Sequence, residues 1–218
     1  MTLRMKNPLQ TILAYHQRTK HFFQRYAAGP EGLDWNSQPD PFRTFDGCTK
    51  LQLPLLDQQS EVLYNDLYQP DNRSPTTSTL PISLNGVAQL LELSFGLSAW
   101  KKYEDTRWAL RCNPSSGNLH PTECYIIIEN CDEISDGVHH YVSRDHVLEH
   151  RCQFNHNGVL LPADSFLVGL TSIHWREAWK YGERAFRYCQ HDVGHAIAAV
   201  RYAAATMGWQ ATVQTDVS

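Results

Sequence analysis

The run Cys124-Tyr125-Ile126-Ile127-Ile128 is apolar at every position. Strands that are buried on both faces have such uninterrupted apolar sequences, so the run predicts a central strand over 124–129. A long helix is predicted over 183–207, because apolar residues recur there every three or four positions before Gly208. Helices packed around a mixed sheet define an α+β fold class.

Shorter patterns predict the remaining elements. Ser83 is a suitable N-cap for a helix that runs to about Leu97. Strands are expected at 108–111 and 211–214, and a hairpin at 138–142 and 146–151. A first helix begins at Asn7-Pro8, and its apolar spacing continues to Tyr26. The polar stretch 15–21 within this helix is interpreted as a solvated face.

Residues 29–82 are interrupted by seven prolines, and no periodic pattern persists there. This segment is predicted to be an arm that lies against a surface, because aromatic and leucine residues are embedded in it. The domain organisation predicted is therefore a helical extension and proline-punctuated arm over 1–82, followed by one folded domain over 83–218.

Composition excludes several function classes. The 218 residues carry a formal net charge of −4, which disfavours nucleic acid and anionic membrane surfaces as partners. The sequence contains no apolar run long enough to span a membrane and begins without a secretory signal, so a cytoplasmic protein is expected. The six cysteines form no CxxC pair and are expected to be reduced thiols.

Two stretches combine residues that could carry chemistry. Residues 111–121 place Arg111 beside a turn that contains hydroxyls and a glycine, and such a turn can bind an anion or a heteroaromatic edge. The alternative is an ordinary turn. Lys180 beside Tyr181 could serve acid–base chemistry if the lysine is buried, and the alternative is a surface pair.

The histidines provide no comparable signal. His191 and His195 have the i, i+4 spacing of two zinc ligands, but no third ligand is recognisable, so we predict no metal site. The pair His139-His140 shows no supporting carboxylate pattern. Phosphate-binding, dinucleotide-binding and nucleophile-elbow motifs do not occur in the sequence.

Two longer motifs resemble a known family. RCNPSSGNLHPTECYIII and WKYGERAFRYCQHDVGHAIAAVRYAAATMGW are similar to segments of the FMN-dependent nitroreductase superfamily, and more specifically of its SagB/ThcOx-type dehydrogenases. The resemblance covers 107–129 and 175–214 well and 82–97 loosely. It implies a nitroreductase-like fold with a mainly antiparallel sheet and a long core helix.

The resemblance also implies roles for individual residues. Lys180 and Tyr181 match the pair proposed as catalytic in azoline oxidases, where a base removes a proton while hydride passes to the flavin. Gly194 and His195 match positions that pack near a dimer core. The residues implied in FMN binding are Arg73, Arg111, Asn113, Pro114, Ser115, Ser116, Gly117, Asn118 and Leu119.

Two departures from the family pattern qualify the expected function. Family members bind the FMN phosphate through an arginine cluster, of which only Arg73 is present. The chain also stops at Ser218, where members continue, so we expect either a fragment of a longer tandem protein or a missing part that comes from another chain. The expected partner is a second copy in a homodimer or a second nitroreductase-like domain.

Three functions are therefore considered. The first is an FMN-dependent dehydrogenase acting on a modified peptide or another small molecule. The second is a nitroreductase-like domain that binds no flavin and serves as a structural or docking partner. The third is an NAD(P)H-dependent nitroreductase.

Overall fold

A computed structural model of the protein describes residues 7–57, 62–68, 79–154 and 161–215. The helices are α1 Pro8–Thr19, α2 Leu84–Phe95, α3 His174–Tyr181 and α4 Ala185–Thr206. The strands are β1 Lys50–Gln52, β2 Leu97–Tyr103, β3 Thr106–Arg111, β4 Thr122–Ile128, β5 Gly137–Val142, β6 Val147–Gln153 and β7 Leu167–Ser172. Short 3₁₀ turns lie at Trp35–Ser37, Tyr64–Tyr68, Ser116–Asn118 and Gly182–Arg184.

Five strands form one sheet in the order β1-β6-β5-β4-β7, and each neighbouring pair is antiparallel. The apolar run is β4, which pairs with β5 on one side and β7 on the other, so the predicted central strand is confirmed. The predicted hairpin is confirmed as β5 and β6. Strands β2 and β3 form a separate two-stranded ribbon that is mostly exposed.

The two faces of the main sheet differ in character. Cys124, Ile126 and Ile128 point to one face and join the principal apolar core with α2 and α4. Alternation along β4 places Glu123 and Tyr125 on the opposite face. His140 is the partner of Tyr125 on β5, and Glu149 is the partner of His140 on β6. That second face is therefore polar, although its side chains are buried.

Helices α2 and α4 cover the apolar face. Ser83 caps α2 as predicted, because its Oγ accepts a hydrogen bond from the Gly86 N–H at 3.2 Å. Val87, Leu91 and Phe95 follow at i, i+4 and i+8 and are fully buried. The predicted long helix is confirmed as α4, which packs against α2 through a second apolar cluster.

The first helix ends earlier than its apolar pattern predicts. The structure ends α1 at Thr19, where the guanidinium of Arg187 binds the carbonyl of His16 and the hydroxyl of Thr19, both at 2.9 Å. These bonds place the Arg187 cation, from across the fold, against the carbonyl end of the helix. The chain then turns at Phe22–Arg25.

The solvated-face interpretation of residues 15–21 is confirmed only in part, because His16, Gln17, Arg18 and His21 are exposed whereas Thr19 is buried. The polar side chains of this stretch dock α1 onto the start of α4: Tyr15 binds Glu183 and Arg187, and Arg18 pairs with Glu183. Apolar side chains of the same helix are exposed as well, at Leu9, Ile12 and Leu13.

The strand predicted near the C-terminus is also wrong. Residues 211–214 form no strand, and instead Trp209 and Ala211 pack against the second apolar cluster. The arm contributes β1 to the sheet edge and Leu53 to the principal core, whereas the domain division at residue 82 remains a prediction. Among the described residues, no helix is both long and apolar enough to cross a membrane.

Candidate functional site

The turn between β3 and β4 is fixed by one buried carboxylate. Asp192, from α4, accepts hydrogen bonds from the Ser115 hydroxyl at 2.6 Å and from the Ser116 hydroxyl and N–H at 3.1 Å. The carboxylate is 1% exposed, so these bonds are shielded from competing water. Asp192 therefore connects the turn to the long helix.

The backbone of this turn passes through the left-handed region three times. Gly117, Asn118 and His120 have φ values of 63°, 60° and 48°. Asn118 supports its own conformation, because its Nδ2 donates to the Ala109 carbonyl at 2.9 Å and its Oδ1 contacts the His120 ring. Asparagine and glycine adopt this region at low cost, which explains the Gly-Asn sequence.

Lys180 and Tyr181 converge on the same turn from the end of α3. A Cβ placed on Gly117 would lie 2.6 Å from Tyr181 Oη and 3.1 Å from Lys180 Nζ. Only glycine permits this approach. Neither Lys180 Nζ nor Tyr181 Oη makes a hydrogen bond to another part of the chain that the structure describes, so both remain available to a ligand. Burial, followed by the charge of Glu177, raises the pKa of Tyr181, which keeps the phenol protonated.

Arg111 lies at the end of β3 and engages the arm instead of the turn. Its Nη2 donates to the Pro41 carbonyl at 2.5 Å, and its guanidinium lies 5.1 Å from the centre of the Phe42 ring. Burial lowers the pKa of Arg111 to about 10, against the opposing charge of Glu123. Its Nε has no partner among the described residues and adjoins a polar cavity with room for about one water molecule.

The other predicted binding residues divide between buried and exposed positions. Asn113 is 1% exposed, and its Oδ1 has no hydrogen-bond partner within the described ranges. Leu119 is buried, whereas Pro114 is exposed. Arg73 lies outside the described residues. The structure thus brings Lys180, Tyr181 and the turn together and leaves Arg111 with the arm.

A buried polar network under the second sheet face was not predicted. His140 Nε2 contacts Glu123 at 2.8 Å and His140 Nδ1 contacts Glu149 at 3.1 Å. Because each ring nitrogen faces a carboxylate oxygen, the ring satisfies both contacts when both nitrogens carry protons. Both carboxylates come from neighbouring strands, so no carboxylate pattern accompanies His139-His140 in the sequence.

Arg176 joins this network to the turn. Its Nη1 donates to the His120 carbonyl at 2.7 Å and also to Glu123. Burial would raise the pKa of Glu123, but the hydrogen bond from His140 and the charge of Arg176 hold it below its ordinary value. The sequence signal for this network was Glu123 itself, which directly precedes the apolar run of β4. A charge buried within a strand requires a partner.

Glu177 is the second acidic residue that sequence reasoning missed. It lies on α3 next to Arg176 and is 0% exposed, and neither carboxyl oxygen has a hydrogen-bond partner among the described residues. Burial and the nearby Asp192 raise the pKa of Glu177 to about 8, against the opposing charge of Lys180. The carboxyl group is therefore mostly protonated at neutral pH.

Comparisons with known proteins agree with this fold. No family model matches the chain. Over 139 residues it is 22% identical to a Methanocaldococcus jannaschii protein named as a nitroreductase, and the match covers 59% of this chain and 66% of that protein. A solved structure from Anabaena variabilis, also named as a nitroreductase, has a TM-score of 0.63 at 25% identity, over 88% of this chain and 38% of that chain.

A second solved structure, from Ralstonia eutropha and also named as a nitroreductase, has a TM-score of 0.51 at 13% identity, over 76% of this chain and 80% of that chain. The fold is therefore nitroreductase-like. The chain is similar in sequence and in fold to proteins named as nitroreductases. The chain spans slightly less than two thirds of the curated relative that it matches.

Proposed function

We propose that this chain is an FMN-dependent oxidoreductase, a dehydrogenase similar to azoline oxidases, that acts on a modified peptide or another small molecule. The observation that carries the proposal is the convergence of Lys180 Nζ and Tyr181 Oη on Gly117. Lys180 Nζ and Tyr181 Oη have no hydrogen-bond partners in the described chain, and they lie against a turn that only glycine permits. This arrangement favours binding of a ligand over a contribution to internal stability.

The residues present fit the polar edge of a flavin ring, which offers carbonyl acceptors and one N–H donor. Lys180 and Tyr181 can donate to the acceptors. Asn113 Oδ1 is a buried acceptor without a partner in the described chain. When bound, FMN supplies the centre that takes up a hydride. Binding of its phosphate by Arg73 remains a prediction, because that residue lies outside the described ranges.

The side chains of the chain itself have separate roles in this proposal. Lys180 acts as the base that removes a proton from the substrate at Nζ. Tyr181 retains its proton and donates a hydrogen bond from Oη, as its raised pKa favours. Asp192 holds the turn in place through Ser115 and Ser116. This division assigns proton transfer to α3 and positioning to α4.

A second candidate function is a domain without flavin that docks onto a catalytic partner. The observation that favours it is the contact of Arg111 with Pro41 and Phe42, which occupies a guanidinium expected at the flavin. Under either function we propose pairing with a second copy or a second nitroreductase-like domain, because sites of this family form between two domains.

The visible absorption spectrum of the purified chain, recorded before and after FMN addition and desalting, tests the proposal. A retained flavin band is expected, and a colourless protein that cannot be reconstituted favours the docking function. Arg111→Ala should release FMN if Arg111 contacts the ring, whereas unchanged affinity removes it from the site.

Activity of the loaded protein tests the assignment of Lys180. Lys180→Ala should abolish turnover of an azoline-containing peptide while flavin stays bound. Lys102→Ala, at an exposed position on β2, is the matched control and should retain activity. Equal loss of flavin and turnover in Lys180→Ala would indicate a structural role. Reduction of the flavin by NADH, with no oxidation of the peptide, would favour the NAD(P)H-dependent nitroreductase.

A further inference from the structure

Four polar side chains share the inward face of α3. Arg176, Glu177, Lys180 and Tyr181 fall within about 140° of one another at 100° per residue. Arg176 binds Glu123 and the end of the turn, and Lys180 and Tyr181 reach Gly117. Glu177 is on the same face, but neither of its carboxyl oxygens has a hydrogen-bond partner among the described residues.

The environment of Glu177 does not support a carboxylate charge. Its side chain is fully buried, and an ionised carboxyl without hydrogen bonds or solvent is costly. The titratable groups that face it are Lys180 and Tyr181 from α3 and Cys189 and Asp192 from α4. Of these, only Lys180 could compensate a negative charge, while Asp192 opposes it.

The two buried acids of this region have different partners. Asp192 accepts hydrogen bonds from three donors of the turn, which a carboxylate does and a neutral acid does less well. Glu177 has none among the described residues. When two neighbouring acids have such different surroundings, their pKa values move apart and the proton resides on the acid with the higher pKa. Here the proton belongs to Glu177.

We propose that Glu177 is the proton-holding member of a buried Glu177–Asp192 pair and acts as a positioning residue for Lys180 and Tyr181. When Glu177 holds its proton, Lys180 is free to face the turn. When the proton leaves, the negative charge attracts Lys180 Nζ away from the turn and retains the proton of Tyr181. The protonation of Glu177 is a property of the chain alone, whereas its effect on turnover rests on the proposed function.

Infrared spectroscopy tests the protonation without any activity. We expect a protonated-carboxyl band at pH 6.5 that disappears with a midpoint near pH 8, and we expect Glu177→Gln to lack it. The matched control is Glu183→Gln. Glu183 lies in the Gly182–Arg184 turn after α3, where it is exposed and paired with Arg18 of α1. This variant should keep the band. If the unmodified chain shows no such band at pH 6.5, the proposal is overturned, even where the glutamine variant fails to fold.

A tyrosinate titration tests the coupling to Tyr181. The difference spectrum between the chain and its Tyr181→Phe variant isolates the ionisation of this phenol. Glu177→Gln should move that ionisation to lower pH, because the variant removes the charge that retains the proton. Glu183→Gln should leave it unchanged. An identical titration in the chain and in Glu177→Gln would refute the positioning role.

The two proposals can fail separately. A titrating Glu177 band in a chain that binds no flavin would reject the proposed function and keep the acid pair. If the chain turns over substrate, Glu177→Gln should shift the pH profile of kcat while KM stays nearly constant. A profile identical to that of the unmodified enzyme would reject the effect of Glu177 on catalysis.

Discussion

The carboxylate of Asp192 accepts hydrogen bonds from both the backbone N–H and the hydroxyl of Ser116, although 76 residues separate the two positions in the sequence. This pairing fixes the β3–β4 turn to α4. Lys180 and Tyr181 reach the same turn from α3, so one carboxylate determines whether the groups of the candidate site meet.

Replacement of this carboxylate should therefore destabilise the whole chain. Asp192→Ala leaves two hydroxyls and one N–H of the turn without their acceptor, and we expect the free energy of unfolding to fall by about 3 kcal/mol. Chemical denaturation measures the change. Asp132→Ala, at an exposed carboxylate after β4, should stay within about 0.5 kcal/mol of the unmodified chain. Equal effects of the two substitutions would contradict the anchoring role of Asp192.

Gly117 should be less tolerant of a methyl group than another glycine with similar backbone geometry. Gly47 has φ 74° and open space around its added Cβ, so Gly47→Ala should cost only the backbone strain, about 1 kcal/mol. Gly117→Ala must also displace Tyr181 Oη and Lys180, and we expect a loss about 1–2 kcal/mol larger. Thermal or chemical denaturation compares the two variants. The additional loss should shrink in a Tyr181→Phe background, and its persistence there would argue against the contact.

The hydroxyl of Tyr15 should act as a long-range cap for α4. It accepts a hydrogen bond from the Arg187 N–H at 3.0 Å and donates to the Glu183 carbonyl at 2.9 Å. The residue before α4, Arg184, provides no side-chain cap. Tyr15→Phe should lower the free energy of unfolding by about 1–2 kcal/mol, because it leaves a helix N-terminal N–H unsatisfied. Tyr26→Phe, at an 81% exposed ring, is the control and should have little effect.

Protonation of His120 should cost stability as the pH drops below 7. Burial and the charges of Arg111 and Arg176 lower the pKa of His120 from 6.5 to about 3, so the folded ring stays neutral while the unfolded ring takes up a proton. His120 alone should remove about 2 kcal/mol of stability between pH 7 and pH 5. Glu177, whose folded pKa is raised to about 8, gains stability over the same interval, so the loss is measured in a Glu177→Gln background. Denaturation at both pH values measures it.

A substitution assigns this pH effect to one ring. In the Glu177→Gln background, His120→Asn should show a weaker dependence on pH over the same interval, with a remainder of the same sign from His139, whose pKa burial also lowers. His195→Asn changes an exposed histidine and should retain the full dependence. If His120→Asn kept the full slope, the loss would have another source.

The sequence by itself determined the elements that local physics specifies. An uninterrupted apolar run made β4 a central strand, Ser83 capped α2, and regular apolar spacing produced α4. The motif of the β3–β4 turn could also be recognised, because its glycine and asparagine are the residues that left-handed backbone requires. Each of these signals depends on residues within a few positions of one another.

Only the tertiary structure decided which side chains meet. The polar stretch 15–21 docks onto Glu183, Arg184 and Arg187, and apolar residues of α1 are exposed. The sequence pattern of α1 does not contain this information, because its partners lie more than 160 positions away. Arg111 binds the arm, and His140 lies between carboxylates from two other strands. Glu177 differs from an ordinary helical glutamate because folding buries it beside Asp192 and removes the water that would stabilise its charge. Such properties arise from packing between distant segments, and periodicity along the chain carries no information about them.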